Sequence, residues 1–334
     1  MSTNTALARV PRGPRPARVR VPEKWGEAEK LYGIENWGKG FFSVSEDGNL
    51  LVHPTKESSR FVDLKAVIDD VALRGITTPV VVRFPQILDT TVRELNEAFA
   101  SAIKEYEYDG VYRGVFPIKV NQKKVVVQEI IHAGRKYSFG LEAGSKPELI
   151  AALSSDLGPD TLVTANGYKD EPFIRMALNG IRMGKTVIMI LEKVAELEWI
   201  LDVAKRRGIR PLIGMRAKLY ARGSGKWAKS GGEAAKFGLT TTEMLEAIEI
   251  LRGRKMLDCF VMLHFHIGSQ ITDIRKVKIA IREAGRVYAK LHRSGVEVQY
   301  LNLGGGLGVD YDGSKTAFDS SMNYTVQEYA NDIV

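Results

Sequence analysis

Cysteine and histidine are scarce in this 334-residue chain, and each scarcity excludes something. With Cys259 as the single cysteine, no intramolecular disulfide can form, which fits a reducing compartment and predicts a cytoplasmic location. Its neighbours Phe260 and Val261 mark it as a core thiol rather than a nucleophile. Long apolar runs are missing too. Stretches such as Val187 to Leu191 fall far short of the ~18 residues of a membrane span, so no bilayer crossing is expected. Acidic residues are absent from the first 22 positions, where five arginines stand, so the formal charge of +8 leaves only about +3 for the body. This Pro/Arg-rich stretch, "RVPRGPRPARVRVP", has no apolar signal-like centre and reads as a solvated, disordered arm; a nucleic-acid partner is not expected.

What is present is enough for a large folded body, with 44% hydrophobic residues and 26% charged ones. Residues 23–78 read as a small appendage. There "FFSVSEDGNLLVHP" carries apolar runs on both sides of Asp47-Gly48, a hairpin signal, and "FVDLKAVIDDVALRG" has a helical stripe at positions 61, 64, 67, 68 and 71, stopped by Gly75. From residue 79 to the end a different rhythm holds. A strand is expected at "PVVVRF", 79–84, then a helix through Leu95 and Phe99. Short apolar runs then recur at "GVFPIKV", "YSFGLEA", "TLVTANG", "TVIMILE", "PLIGMRA", "VMLHFHIG" and "QYLNLGGG", mostly about 22 to 26 residues apart with one gap near double that. Helical patterns such as "VVVQEIIHAGRK" separate them. Continuous apolar strands alternating with helices imply a covered parallel sheet, and seven such units point to an α/β fold of the (β/α)8 TIM-barrel type, with an open doubly wound sheet as the alternative. No eighth strand is recognisable after Gly306, so the barrel is expected to be incomplete, or closed by the run at 79–84.

In such barrels the chemistry collects at the C-terminal strand ends, here Lys119, Glu142, Asn166, Glu192, Arg216, His266 and Gly304 to Gly306. Lys119 lies among Val115, Phe116, Pro117, Ile118 and Val120. An ammonium on a buried strand is costly unless it has a task, such as forming an imine with a carbonyl. His264 and His266, two apart on one strand, share a face and could begin a metal site, but His53, His132 and His292 fall outside the barrel strands. The other readings of these two are a flat ring packed on an aromatic ligand or a hydrogen bonder in the core. "NLGGGLG" offers backbone N–H groups for a phosphate or simply a tight turn, without being the dinucleotide fingerprint, and "GSGKW" is no Walker A loop. An aldehyde, a flat ring and a phosphate together describe pyridoxal 5'-phosphate.

The stretches "FPIKVNQ", "GLEAGSKPEL", "NGYKD", "GSGKWAKSGGEAAKFGL", "HFHIGSQ" and "NLGGGLGVDYDG" resemble the biosynthetic arginine decarboxylases, pyridoxal-phosphate enzymes of the alanine-racemase-like barrel group, from about residue 23 onward. The resemblance implies that Lys119 anchors the cofactor covalently and that His266 stacks on its ring. It further implies that Glu142 stands beside the lysine, that Ser269 and Gly304, Gly305 and Gly306 lie near the phosphate, and that Arg216 belongs to the site. It implies decarboxylation of L-arginine to agmatine and CO2 on a polyamine route, a Mg2+ requirement and a homo-oligomer. The family's eighth strand with its Glu-x-Gly-Arg motif, and its C-terminal β-domain, are not seen in this chain, so weak cofactor binding and little or no turnover are expected of it alone. Decarboxylation of ornithine or diaminopimelate, or cofactor binding without catalysis, are the alternatives.

Overall fold

The computed structural model describes residues 29–158, 160–219 and 237–334. The basic arm at 1–22, and the segment 220–236 that contains "GSGKW", lie outside the described residues.

The chain divides into two compact units, one ending at Val80 and the other running from Val81 to Val334. In the first, α1 (Ile34–Gly38) precedes a three-stranded antiparallel sheet of β1 (Phe42–Val44), β2 (Leu50–Val52) and β3 (Val62–Asp63), and α2 (Leu64–Leu73) comes after it. Phe42 pairs with Val52 and Val44 with Leu50 across the turn at Asp47-Gly48, where Gly48 takes a positive φ. Asp63 ends β3 and caps α2 by accepting the N–H groups of Lys65 and Ala66.

The second unit opens with α3 (Pro85–Glu105). The expected strand at 79–84 does not form; these residues carry no regular structure, and Val81 is exposed. A β-branched run becomes a strand only where a neighbour supplies hydrogen-bond partners, and none is offered here. The alternation then runs β4 (Val115–Pro117), α4 (Lys124–Gly134), β5 (Gly140–Ala143), α5 (Lys146–Ser154), β6 (Leu162–Ala165), α6 (Glu171–Arg182), β7 (Thr186–Leu191) and α7 (Val194–Arg207). It continues with β8 (Leu212–Arg216), α8 (Thr241–Gly253), β9 (Phe260–His264), α9 (Ile274–Arg293), β10 (Tyr300–Asn302) and α10 (Val326–Ile333).

All seven strands are parallel and each pairs with its successor, from β4 at one edge to β10 at the other. This is the curl of a (β/α)8 barrel left incomplete. Strand β7 shows why the sheet is buried on both sides. Val187, Met189 and Leu191 face the helices, while Ile188 and Ile190 join Leu162, Val261 and Met262 in the barrel interior. Each such side chain, fully withdrawn from water, contributes roughly 1.5–3 kcal/mol. Helix starts depend on local capping: Ser145, Asp170, Thr240, Asp273 and Thr325 each accept a backbone N–H of the first turn. The last of these begins α10, which packs Ala330 against Ala98, Phe99 and Ala102 of α3.

Candidate active site

The strand register lines the sequence-predicted residues along one rim. Glu142, one residue before the end of β5, lies beside Pro117 of β4, and Arg216 of β8 stands opposite His264 of β9, which in turn pairs with Asn302 of β10. Period-two alternation sends Glu142 and Arg216 to the face that carries Leu162 and Met262 deeper in the barrel.

Lys119 is not on a buried strand, as its apolar neighbours suggested. Strand β4 stops at Pro117, and Lys119 sits in a single 3-10 turn, Ile118–Val120, with its side chain 64% exposed. Ile118 takes the buried position of that turn instead. The geometry therefore replaces desolvation by pairing: Lys119 Nζ lies 3.5 Å from Glu142 Oε1, and Glu142 is largely buried. An accessible amine next to a held carboxylate has a proton acceptor at hand and room for a carbonyl.

Arg216 donates from Nη1 to Glu192 Oε1 at 2.5 Å, both groups largely buried, and its guanidinium lies 5.4 Å from the centre of the Phe237 ring. His264 is fully buried. Its Nδ1–H donates to the Asn302 carbonyl at 3.2 Å, Nε2 has no partner among the described residues, and burial, followed by the charge of Arg216, pushes its pKa down to about 3. His266 stands on the open side of the sheet. Protein crowded against its inner side, then the charges of Arg216 and Lys119, push it down to about 4, so it is neutral at pH 7. Its Nδ1 accepts the N–H of Gly305 at 3.3 Å, which leaves the proton on Nε2.

The glycine run differs from the expectation of free donors. Gly304 N–H goes to Asn302 Oδ1 and Gly305 N–H to His266. What the run does provide is close approach: a Cβ on Gly304 would meet the Phe265 carbonyl at 2.5 Å and His266 Nδ1 at 2.9 Å. Among the described residues nothing lies within 4 Å of a Cβ placed on Gly305, which is exposed. Ser269 is exposed in the loop packed on this run, where Ile271 N–H donates to the Gly306 carbonyl. Among the described residues no group of three or more His, Cys, Asp or Glu could hold a metal ion, so the pair His264 and His266 has no further ligands there.

One residue of this region escapes sequence reading. Lys169, in "NGYKD", has no exposed surface, and its Nζ lies 3.6 Å from Glu196 Oε2 without a hydrogen-bond partner. Its neighbours Tyr168 and Asp170 give no local sign of burial.

A parallel barrel whose rim carries an accessible amine, a neutral imidazole and a glycine turn defines a class of cofactor-binding α/β proteins. The pyridoxal-dependent decarboxylases, pyridoxal binding domain, match residues 92–334, and the chain belongs to that family. It is 53% identical to a biosynthetic arginine decarboxylase of Deinococcus radiodurans over 308 residues, 92% of this chain and 46% of the relative. The crystal structure of the biosynthetic arginine decarboxylase of Campylobacter jejuni superposes with a TM-score of 0.79 at 35% identity, covering 90% of this chain and 48% of that one. A diaminopimelate decarboxylase of M. jannaschii shares the fold at a TM-score of 0.65 and 21% identity, covering 88% of this chain and 62% of that one. The chain spans about half the length of the arginine decarboxylases it matches.

Proposed function

We propose that this chain is the cofactor-binding half of an arginine decarboxylase, which removes the α-carboxylate of L-arginine as CO2 and leaves agmatine, the entry to a polyamine route. The observation that carries the proposal is the accessible Lys119 amine, paired with the largely buried Glu142, at the rim of a barrel of this family. The residues present fit pyridoxal 5'-phosphate: an amine for the aldehyde, a neutral ring to lie against the pyridine, and an exposed glycine turn at Gly305 with the exposed Ser269 for the phosphate. When bound, the pyridine ring is the electron sink for the carboxylate's bonding pair.

The chain's own groups then have separate tasks. Lys119 would hold the aldehyde, and Glu142, 3.5 Å from its Nζ, would accept the amine's proton. Arg216, fixed by Glu192, presents a cation to an anionic group at the rim. Mg2+, a homo-oligomer and a cytoplasmic location belong to the same proposal; among the described residues no helix is long and apolar enough to cross a membrane.

Incubation with pyridoxal 5'-phosphate, borohydride reduction and peptide mass spectrometry is the test. A pyridoxyl group confined to Lys119 is expected, with an absorbance change on adding L-arginine that exceeds those with L-ornithine and diaminopimelate. Label spread over surface lysines, or a site elsewhere, would overturn the reading.

A further inference from the structure

Lys169 has a partner on one side only. Asp170, its neighbour in sequence, is engaged elsewhere: it caps α6 through the Phe173 N–H and pairs with Lys146. The groups facing Lys169 are Glu196 from the first turn of α7, Glu192 from the end of β7 and Arg216 from the end of β8. Glu196 Oε2 accepts the Glu192 N–H at 2.8 Å, so one carboxylate clamps the backbone that carries the other.

The same clamp occurs two strands earlier with a different partner. Glu148, in the first turn of α5, accepts the Gly144 N–H at 2.7 Å, and its other oxygen accepts from Gln122 Nε2 at 3.0 Å. Where the clamped residue is a glycine, a neutral amide completes the site; where it is a glutamate, a lysine does. Two largely buried carboxylates at Glu192 and Glu196 carry two negative charges, and Arg216 balances only one. Holding a turn needs no cation, as Gln122 demonstrates. Holding it beside a second carboxylate does.

We infer that Lys169 is a positioning residue for the candidate active site: its ammonium balances Glu196, which leaves Glu192 free to fix the guanidinium of Arg216. The inference rests on the placing of Arg216 at the active site proposed above, but its test uses no cofactor. Without Lys169 the two carboxylates share one cation. Arg216 is then drawn toward Glu196.

The full chain labelled with 15N-lysine and 15N-arginine provides the measurement. In the wild type, the Lys169 Nζ signal is expected to titrate below the ordinary lysine value of 10.5, because burial disfavours the ammonium more than the two carboxylates restore it, and the Arg216 Nη1 signal to shift in step with it. In Lys169→Met, hydrogen exchange at Arg216 Nη1–H, the group bonded to Glu192, should rise at least about tenfold, the scale of removing a buried charge partner. Lys169→Arg should hold it near the wild-type rate. The double variant Lys169→Met with Glu196→Gln, which removes both charges but keeps an acceptor for the Glu192 N–H, should restore it. An Arg216 signal that ignores the Lys169 titration overturns the inference, and this outcome is readable even if Lys169→Met fails to fold. Absence of pyridoxyl label on wild-type Lys119 would instead sink the proposed function and leave this result intact.

Discussion

Lowering the pH from 6.5 toward 4 is expected to destabilise the chain steeply, and His264→Asn to abolish most of that slope. In the folded state the buried ring keeps a pKa of about 3, against 6.5 for the free side chain. Between these values the unfolded chain binds a proton that the folded chain refuses. The stability is therefore complete above 6.5 and is lost as the pH falls through this window. Protonating the buried ring costs up to ~5 kcal/mol, a large share of the 5–15 kcal/mol that usually separates folded from unfolded protein. Carboxylates join only toward the acid end of this range, where Glu243 and Glu328, lowered from 4.5 by bonds from Thr240 and Thr325, have the same sign. Those held lowest, Asp273 and Asp312 at about 2, act only at lower pH. His266 has the same sign, but its ring is open to water and contributes less. Urea unfolding at pH 7, 5.5 and 4.5 checks this. Asparagine keeps a donor for the Asn302 carbonyl and removes the titration, so a variant that retained the wild-type slope would refute the assignment.

Gly306→Ala should destabilise the protein by about 2–5 kcal/mol, combining left-handed strain with a backbone collision. Gly306 has φ +112°, and a Cβ there would lie 2.2 Å from the Gly268 carbonyl oxygen and 2.7 Å from Ile271 Cδ1. Neither neighbour yields easily, because Ile271 N–H is bonded to the Gly306 carbonyl itself. Gly305→Ala is the control. Its φ lies outside the left-handed region and its Cβ meets nothing within 4 Å, so its cost should stay within about 0.5 kcal/mol. Under the proposed placing of the phosphate beside Gly305, the added methyl should nevertheless weaken pyridoxyl trapping on Lys119 without loss of melting temperature. Equal thermal shifts for the two variants would show that the run is an ordinary turn.

Much of the rim was legible because a strand's end is a local event. Each apolar run of five or so residues has to stop where the chain meets water, and the polar residue at that stop occupies the same edge of a parallel sheet as its counterparts. Glu142, Glu192 and Arg216 were found in this way. Helix α10 went unnoticed although Thr325 and Glu328 form a capping box, a signal that needs no tertiary context. The run at 79–84 misled for the opposite reason. Its composition favours a strand, but strand formation needs a second strand, which composition does not report.

The sequence by itself determined which segments alternate, which residues cap the helices and which polar groups reach the C-terminal rim, because periodicity and capping act over a few residues. Only the tertiary structure decided which lysine is buried. Lys119, surrounded by apolar neighbours in sequence, emerges into solvent in a tight turn, whereas Lys169, between a tyrosine and an aspartate, is covered when the start of α7 folds over the loop after β6. Burial of a charge depends on which carboxylate meets it across the fold, and Glu196 is 27 residues away along the chain.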